Sequence, residues 1–436
     1  MYKKKITVIG LGISGTSVID FLCKKGAIIF VSDSSERSKS KLEALKQSGK
    51  INAFEVGHTE KILAADLIVI SPGVPRDLAI LEQADVPIIS ELELGFRYLN
   101  TKNVIAVTGT NGKTTTVYLI EHILKYFKKD VFLCGNVGTP ITAIAERTTK
   151  DSIVIIEVSS YQLEWVDQFE PSAAAILNIT PDHLSRYKSI EEYAEVKFRI
   201  FNHRPKISIL NMDDFFSRPA YLSFSLNNKE ADIYLDNNRV IFHAKNFKFD
   251  ISFLKVIGNH NIANIMAAIL LVQDFCFSLN GIQELKNAIN SFEGLEHRLK
   301  LVCEKGGARY VNDSKSTNID STRVALESFE GNIILMLGGE HKGASLSPLV
   351  PLIKRKVTKL IIFGESRELI KDELKEFSAM TEIFPRLADV KLKAESGGTV
   401  LFSPACASFD EFKNYKERGD FFVDKICCKD HLDGIL

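Results

Sequence analysis

Short apolar runs alternate with helical patterns along the first hundred residues. Ile6 to Ile9 reads as a strand, Ser14 to about Lys25 as an amphipathic helix, and Ala27 to Val31 as a second strand. Leu67 to Ile70 is a further apolar run, closed by the turn Ser71-Pro72-Gly73. The alternation resumes at Val104 to Val107, Ile153 to Val158 and Ala173 to Leu177, with helices over about Ile190 to Phe201 and Ile262 to Val272. A third set begins near Leu299, with strands at Arg309 to Val311, Asn332 to Leu337, Lys359 to Phe363 and Thr399 to Phe402. Strands that alternate with helices predict βαβ units and mainly parallel sheets. Only residues 206–251, rich in Asn and Phe with alternating apolar positions, predict small antiparallel strands elaborating the second domain. The simplest division is three α/β domains, 1–97, 98–298 and 299–436.

Composition narrows this picture. A chain of 436 residues exceeds what one core organises, so several domains are expected. Lys and Arg number 55, Asp and Glu 55, so no overall basic footprint speaks for nucleic acid and any phosphate binding must be local. Seven cysteines without a CxxC, Cys427 beside Cys428, favour reduced thiols in a cytoplasmic protein over a disulfide scaffold. Lys3, Lys4 and Lys5 precede an apolar stretch, but Gly10, Gly12 and Gly15 interrupt it, which suits a strand entering a glycine turn better than a signal peptide. Ile262 to Val272 is too short to cross a bilayer, and no transmembrane segment is expected.

The sharpest chemical motif is Gly109-Thr110-Asn111-Gly112-Lys113-Thr114-Thr115, directly after a strand. Its glycines let successive N–H groups converge on phosphate oxygens, Lys113 can bridge the β- and γ-phosphates, and the Thr114 hydroxyl can ligate Mg²⁺. Val107 stands where the standard P-loop has its first glycine, so the loop is a shortened GxxGKT. Gly10-Leu11-Gly12-Ile13-Ser14-Gly15 matches GxGxxG, and Asp33 follows the second strand, where such folds hold a ribose hydroxyl. That geometry accepts any nucleotide diphosphate. Two phosphate sites in one chain suggest one nucleotide as substrate and one as energy source. The fold class is therefore α/β, with a Rossmann-like N-terminal domain, a central P-loop ATPase-like domain and a Rossmann-like C-terminal domain.

Other polar groups sit where strands end. Glu157 closes an apolar run beside the glycine loop and can hold Mg²⁺ through an oxygen. His183, after Asn178-Ile179-Thr180-Pro181-Asp182, is placed for a second metal contact. Asp313 and Lys315 follow a short strand; a nucleotide with a carboxylate substrate, or a solvated ion pair, explains them equally well. Lys342 follows the turn Gly338-Gly339, and Cys406 reads as structural because no local base accompanies it. Lys197, on an amphipathic helix, reads from its own residues as a solvated lysine.

Together GTNGKTT, the block from Glu157, Pro181-Asp182-His183, Gly258-Asn259-His260-Asn261, His297-Arg298 and Asn312-Asp313-Ser314-Lys315 resemble the Mur ligases of peptidoglycan synthesis. Within that family GLGISG and SPACASFDEFKNYKERGDFF, Ser403 to Phe422, look like the member that joins D-glutamate to UDP-N-acetylmuramoyl-L-alanine. The resemblance implies an ATP-dependent ligase working through an acyl phosphate, a cytoplasmic monomer with two Mg²⁺ ions. It implies Gly109, Thr110, Asn111, Gly112, Lys113, Thr114, Thr115, Asn264, Arg298 and Asp313 at ATP, with Lys113, Glu157, His183 and Lys197 catalytic. Thr114, Glu157, His183 and a carbamylated Lys197 would hold metal, which reverses the solvated reading of that lysine. Ile13, Ser14, Asp33, Ser34, Ser71, Gly73, Asn136, Gln162 and His183 would meet the UDP substrate. Lys315, Thr317, Lys342, Ser408, Phe409 and Tyr415 would surround D-glutamate. Ser35 stands where relatives often carry arginine, and Tyr415 where they carry phenylalanine. The rival expectations are a folylpolyglutamate-synthase-like ligase, an NAD-dependent oxidoreductase, which needs only the first glycine motif, and a catalytically silent nucleotide sensor.

Overall fold

The computed structural model describes residues 1–183, 186–218, 221–277, 281–392 and 396–427. Its strands form three sheets within two compact units: Met1–Ser252 with Ala263–Ile289, and Phe253–Ile262 with Asn290–Leu436.

The first sheet contains β1 (Lys5–Ile9), β2 (Ile28–Asp33), β3 (Ala53–Val56), β4 (Leu67–Ile70) and β5 (Ile88–Ser90), in the order β3-β2-β1-β4-β5 and parallel throughout. Ile6, Val8 and Ile9 are buried, as a strand covered on both faces requires. The helix Ile13–Lys24 packs on this sheet through Gly15, Val18, Ile19, Phe21 and Leu22. A Cβ on Gly15 would lie 1.9 Å from the carbonyl oxygen of Gly10, so only glycine lets this helix start so close to the strand.

The second sheet holds β6 (Val104–Thr108), β7 (Val131–Gly135), β8 (Ile153–Glu157), β9 (Ala173–Ile176), β10 (Ile207–Asn211), β11 (Leu222–Ser225), β12 (Ile233–Asp236), β13 (Arg239–Phe242) and β14 (Phe247–Asp250). Its order is β14-β13-β12-β11-β10-β9-β6-β8-β7. Here the antiparallel expectation for residues 206–251 needs correcting. β10, β11 and β12 continue the parallel sheet, and only β12-β13-β14 are antiparallel. The segment is one edge of the central sheet. The helix Ile190–Phe198, extended by a 3₁₀ turn over Arg199–Phe201, buries Tyr193, Ala194, Val196, Lys197 and Phe198.

The second unit is organised by β15 (Lys300–Lys305), β16 (Ala308–Asn312), β17 (Ile333–Gly338), β18 (Val357–Phe363), β19 (Thr381–Phe384) and β20 (Thr399–Ala405). The order is β15-β16-β20-β17-β18-β19, parallel except for the β15–β16 hairpin. Side chains alternate between two cores, Leu335, Leu337 and Leu401 on one face, Ile334, Met336, Val400 and Phe402 on the other. Among the described residues no helix is long and apolar enough to cross a membrane. Cys23, Cys134, Cys276, Cys303 and Cys406 are free thiols; Cys428 lies outside the described residues.

Candidate active site

In open parallel sheets, ligand sites form at the carboxyl ends of strands where the strand order reverses. The first sheet reverses at β1, flanked by β2 and β4. The loops beyond these strands line a cavity of ≈ 480 Å³ that includes Gly10, Ile13, Ser14, Asp33, Ser34, Ser71 and Gly73, together with Asn136 and Gln162 from beyond β7 and β8. The structure thus gathers every residue expected at the UDP substrate except His183. It also adds His58, which lies beyond β3.

Asp33 is more committed than expected. Its Oδ2 accepts the Leu11 N–H at 2.7 Å, and its Oδ1 accepts the Ser35 N–H at 2.9 Å and the Ser38 hydroxyl at 2.7 Å. Burial pushes its carboxyl up, but hydrogen bonds from Ser35, Ser38 and Leu11 hold the pKa below its ordinary value. Asp33 therefore shapes the glycine loop itself.

The second sheet reverses at β6, between β9 and β8. Gly112 has φ +85°, and a Cβ there would lie 2.4 Å from Asn264 Oδ1, so the loop turns tightly beneath Asn264. The loop is clamped to the end of β9. Thr110 N donates to Asn178 O, Asn111 N to Asn178 Oδ1, and Thr180 N to Thr110 Oγ1. Lys113 Nζ donates to Gly109 O at 2.7 Å and Thr110 O at 2.9 Å.

Lys197 reaches the same loop from below, its Nζ donating to Gly109 O at 3.0 Å and lying 4.5 Å over the Tyr193 ring. It is 1% exposed, so the solvated reading of this lysine is wrong. Burial drives its pKa far below the ordinary value, and Lys113 nearby pushes the same way.

Glu157 is buried, and its Oε1 accepts from Asn136 Nδ2 at 2.7 Å. Its Oε2 has no hydrogen-bond partner. An orphaned carboxylate oxygen beside a GKT loop fits a Mg²⁺ ligand. Among the described residues no three His, Cys, Asp or Glu side chains cluster for a metal. His183 is half-exposed with φ +56°; its Nδ1 lies 3.0 Å from the Tyr161 hydroxyl. Tyr161 is covered by the Arg186 guanidinium at 4.1 Å, which Glu164 holds in a two-pronged ion pair. None of Tyr161, Glu164 and Arg186 was singled out in the sequence. Arg186 and Glu164 carry no motif, and only the aromatic neighbour of Gln162 could have drawn attention.

The second unit is built separately around the carboxyl ends of β16, β20 and β17. Asp313 Oδ1 accepts from Leu299 N, and its Oδ2 accepts from the hydroxyls of Ser316 and Ser403. Burial pushes its carboxyl up to about 6 against those donors and Arg298. Lys315 Nζ stands 4.3 Å over the Tyr415 ring. Glu340 and Ala407 exchange both backbone hydrogen bonds, joining the loop of Lys342 to that of Ser408. Ser408 is buried, Thr317 is half-buried, and Lys342 and Phe409 are exposed. Cys406 is buried with its thiol pushed up to about 12 by burial, in keeping with a structural role. Behind these loops Arg418, 0% exposed, donates only to oxygens of Ser314, Gly338, Cys406 and Ala407.

Comparison with known proteins is consistent across the chain. Residues 4–90 match the Mur ligase MurD-like N-terminal domain, 107–272 the Mur ligase middle domain, and 297–406 the Mur ligase glutamate ligase domain. The chain is 36% identical to the UDP-N-acetylmuramoylalanine–D-glutamate ligase of Caldicellulosiruptor saccharolyticus, over 98% of this chain and 99% of that protein. It is 37% identical to the ligase of the same name from Geotalea daltonii, over 96% of both. In fold it resembles the UDP-N-acetylmuramate-alanine ligase of Thermotoga maritima, TM-score 0.61 at 21% identity over 97% of this chain and 99% of that one. It also resembles E. coli FolC, TM-score 0.56 at 16% identity over 81% of this chain and 99% of that one.

Proposed function

The chain belongs to the Mur ligase family, and from that premise we propose that it adds D-glutamate to UDP-N-acetylmuramoyl-L-alanine, consuming ATP, in peptidoglycan precursor synthesis. Full-length similarity to ligases of that name carries the reading. The likeness to FolC is one of fold alone, and it sets no folate chemistry on this chain. An oxidoreductase would leave Lys113, Lys197 and Glu157 without a task, and so would a silent sensor.

The precursor's terminal carboxylate attacks the γ-phosphate of ATP. The bond to the β-phosphate oxygen breaks, ADP leaves and an acyl phosphate forms. The D-glutamate amine then attacks the acyl carbon, and the tetrahedral species collapses to amide, inorganic phosphate and a proton. Lys113, with the N–H groups of Gly109 to Thr115, takes up the phosphate charge that grows in the first step. Mg²⁺, when bound, offsets phosphate charge that the loop alone leaves uncompensated. Thr114 and Glu157 would hold one ion; His183 and Lys197 would hold a second.

For Lys197 that role requires carbamylation, because an ammonium repels Mg²⁺. Its lowered pKa supports the step, since only an uncharged amine adds CO₂. An N–C bond forms, a proton leaves and a carboxylate-like anion replaces the amine. A ¹³C carbamate resonance after incubation with labelled bicarbonate, absent from Lys197→Ala, checks it.

The cavity of the first sheet takes the uridine diphosphate end, with Ile13, Ser14, Asp33, Ser34, Ser71, Gly73, Asn136 and Gln162 as its contacts, and His183 nearer the reacting end. Asn264, Arg298 and Asp313 serve the adenosine part of ATP. Lys315, Thr317, Lys342, Ser408, Phe409 and Tyr415 serve D-glutamate, whose two carboxylates call for cations and hydroxyls. Residues 1–97, 98–298 and 299–436 are then the UDP-substrate, ATP and amino-acid domains of a cytoplasmic monomer. The deciding experiment is phosphate release with UDP-N-acetylmuramoyl-L-alanine against a panel of D- and L-amino acids. Release with D-glutamate alone is expected; release independent of the amino acid refutes the reading.

A further inference from the structure

His58 belongs to none of the sequence motifs, yet it lines the cavity of the first sheet beside Asp33 and Ser34. Its Nδ1 lies 2.8 Å from the hydroxyl of Ser32, a fully buried residue on β2. That hydroxyl also lies 2.7 Å from the carbonyl oxygen of Gly57 and 3.0 Å from Glu55 Oε1. A serine hydroxyl has one hydrogen to give, and a carbonyl oxygen can only accept. Were that hydrogen given to His58, the Gly57 oxygen would face a bare lone pair at 2.7 Å, with no proton between them. The hydrogen therefore goes to the oxygens, and His58 must donate its Nδ1–H to Ser32.

This fixes the tautomer. A neutral ring protonated at Nδ1 has its lone pair at Nε2. Among the described residues Nε2 makes no hydrogen bond. Asp33, the acceptor expected to meet a ribose hydroxyl, already receives three donors from its own loops. At this end of the cavity His58 Nε2 is an acceptor that no described residue occupies.

We infer that His58 is a specificity-determining residue of the cavity, accepting at Nε2 an N–H or O–H donor from the uridine end of the substrate. Two groups offer that chemistry, the uracil N3–H and a ribose hydroxyl. Glu55 takes part as a positioning residue: its Oε1 accepts from Thr59 N and its Oε2 from the Thr59 hydroxyl, which pins the turn carrying His58. The inference rests on the uridine-binding reading above, and the two fail differently. If UDP-N-acetylmuramoyl-L-alanine supports no D-glutamate-dependent phosphate release with the unaltered chain, that reading fails whatever His58 does.

The test pairs His58→Ala and His58→Asn with the parent substrate and its N3-methyluracil and 2′-deoxyribose analogues. The asparagine amide can still donate to Ser32, so His58→Asn keeps the buried network while removing the distal acceptor. Both variants should raise KM for the parent substrate about tenfold, the scale of one lost hydrogen bond that orients a ligand, with kcat and the KM values for ATP and D-glutamate held within about twofold. The unaltered chain should bind one analogue about tenfold more weakly than the parent, and that penalty should vanish in both variants. His58→Gln, which returns an acceptor oxygen near the place of Nε2, should recover part of the affinity. Analogue penalties that persist unchanged in the variants, or analogues that bind the unaltered chain as well as the parent does, overturn the inference.

Discussion

The chain contains two strand–glycine loop–helix junctions, and they have been put to different uses. At the first, beyond β1, the nearest acid is spent on the loop: Asp33 binds Leu11, Ser35 and Ser38. The result is a preformed cavity with no strongly driven reactive group. At the second, beyond β6, the nearest acid keeps one oxygen unpaired, and two lysines converge on the carbonyl oxygen of Gly109. The second loop carries a lysine of its own, Lys113, which the first lacks. Glu157 from the adjacent strand end and Lys197 from a helix add further reactive groups beside it, and nothing comparable stands beside the first loop.

The largest test of that contrast is Lys113→Ala, which should lower kcat for phosphate release about a thousandfold while leaving binding of UDP-N-acetylmuramoyl-L-alanine, read by calorimetry, within about twofold. Equal losses in both would show that the two junctions act as one. Glu157→Gln comes next. It keeps an oxygen for Asn136 but gives up the anionic Oε2, so kcat should fall about a hundredfold and the Mg²⁺ concentration for half activity should rise. Asp33→Asn should do the reverse. With one of its three donors unmatched, KM for the UDP substrate should rise about fivefold to tenfold at constant kcat; a fall in kcat instead would erase the contrast.

The smallest effect is on stability and falls in the second unit. Asp313 is a buried acid whose pKa is raised to about 6, so its neutral form suits the fold. The stabilisation it gives is present on the acid side and lost as pH rises through about 6. Asp313→Asn stays neutral throughout, so its melting temperature relative to the unaltered chain should climb between about pH 4 and pH 6.5, by the equivalent of about 2 kcal/mol. A difference that stays flat across that range would mean that the carboxyl is not titrating in the fold.

Most strands were legible because buried parallel strands are continuous apolar runs, and Leu67–Ile70 was read to the residue. β3 was not, because its sequence Ala-Phe-Glu-Val carries a buried glutamate where an apolar residue would have marked a strand. With β3 unseen, nothing identified His58 as a residue beyond a strand end. Residues 206–251 were recognised as strands, but pairing direction depends on which neighbour a short strand meets, and no pattern within five residues encodes that. Lys197 shows a related limit. A lysine on an amphipathic helix is solvated by default, and its burial follows from the opposing loop. Of the cavity residues, Ile13, Ser14 and Asp33 were reached through the glycine motif and Asn136 and Gln162 through the family resemblance, whereas Tyr161, Glu164 and Arg186 act through one another and show only in the folded structure.

Arg418 deserves a last consequence. Burial pushes its pKa down to about 10, so it stays charged at neutral pH, yet every hydrogen bond it makes goes to Ser314 or to a main-chain oxygen. Its planar fork thereby ties the turns before Lys315, Gly339 and Ser408 into one rigid rim. Mirror-image amino acids carry identical groups and differ only in how those groups are arranged about one carbon. Walls that could yield would admit both hands. A rim stapled by a single guanidinium cannot adjust one wall without the others, and stereochemical fidelity at the amino-acid end would then depend on a residue that never touches the amino acid.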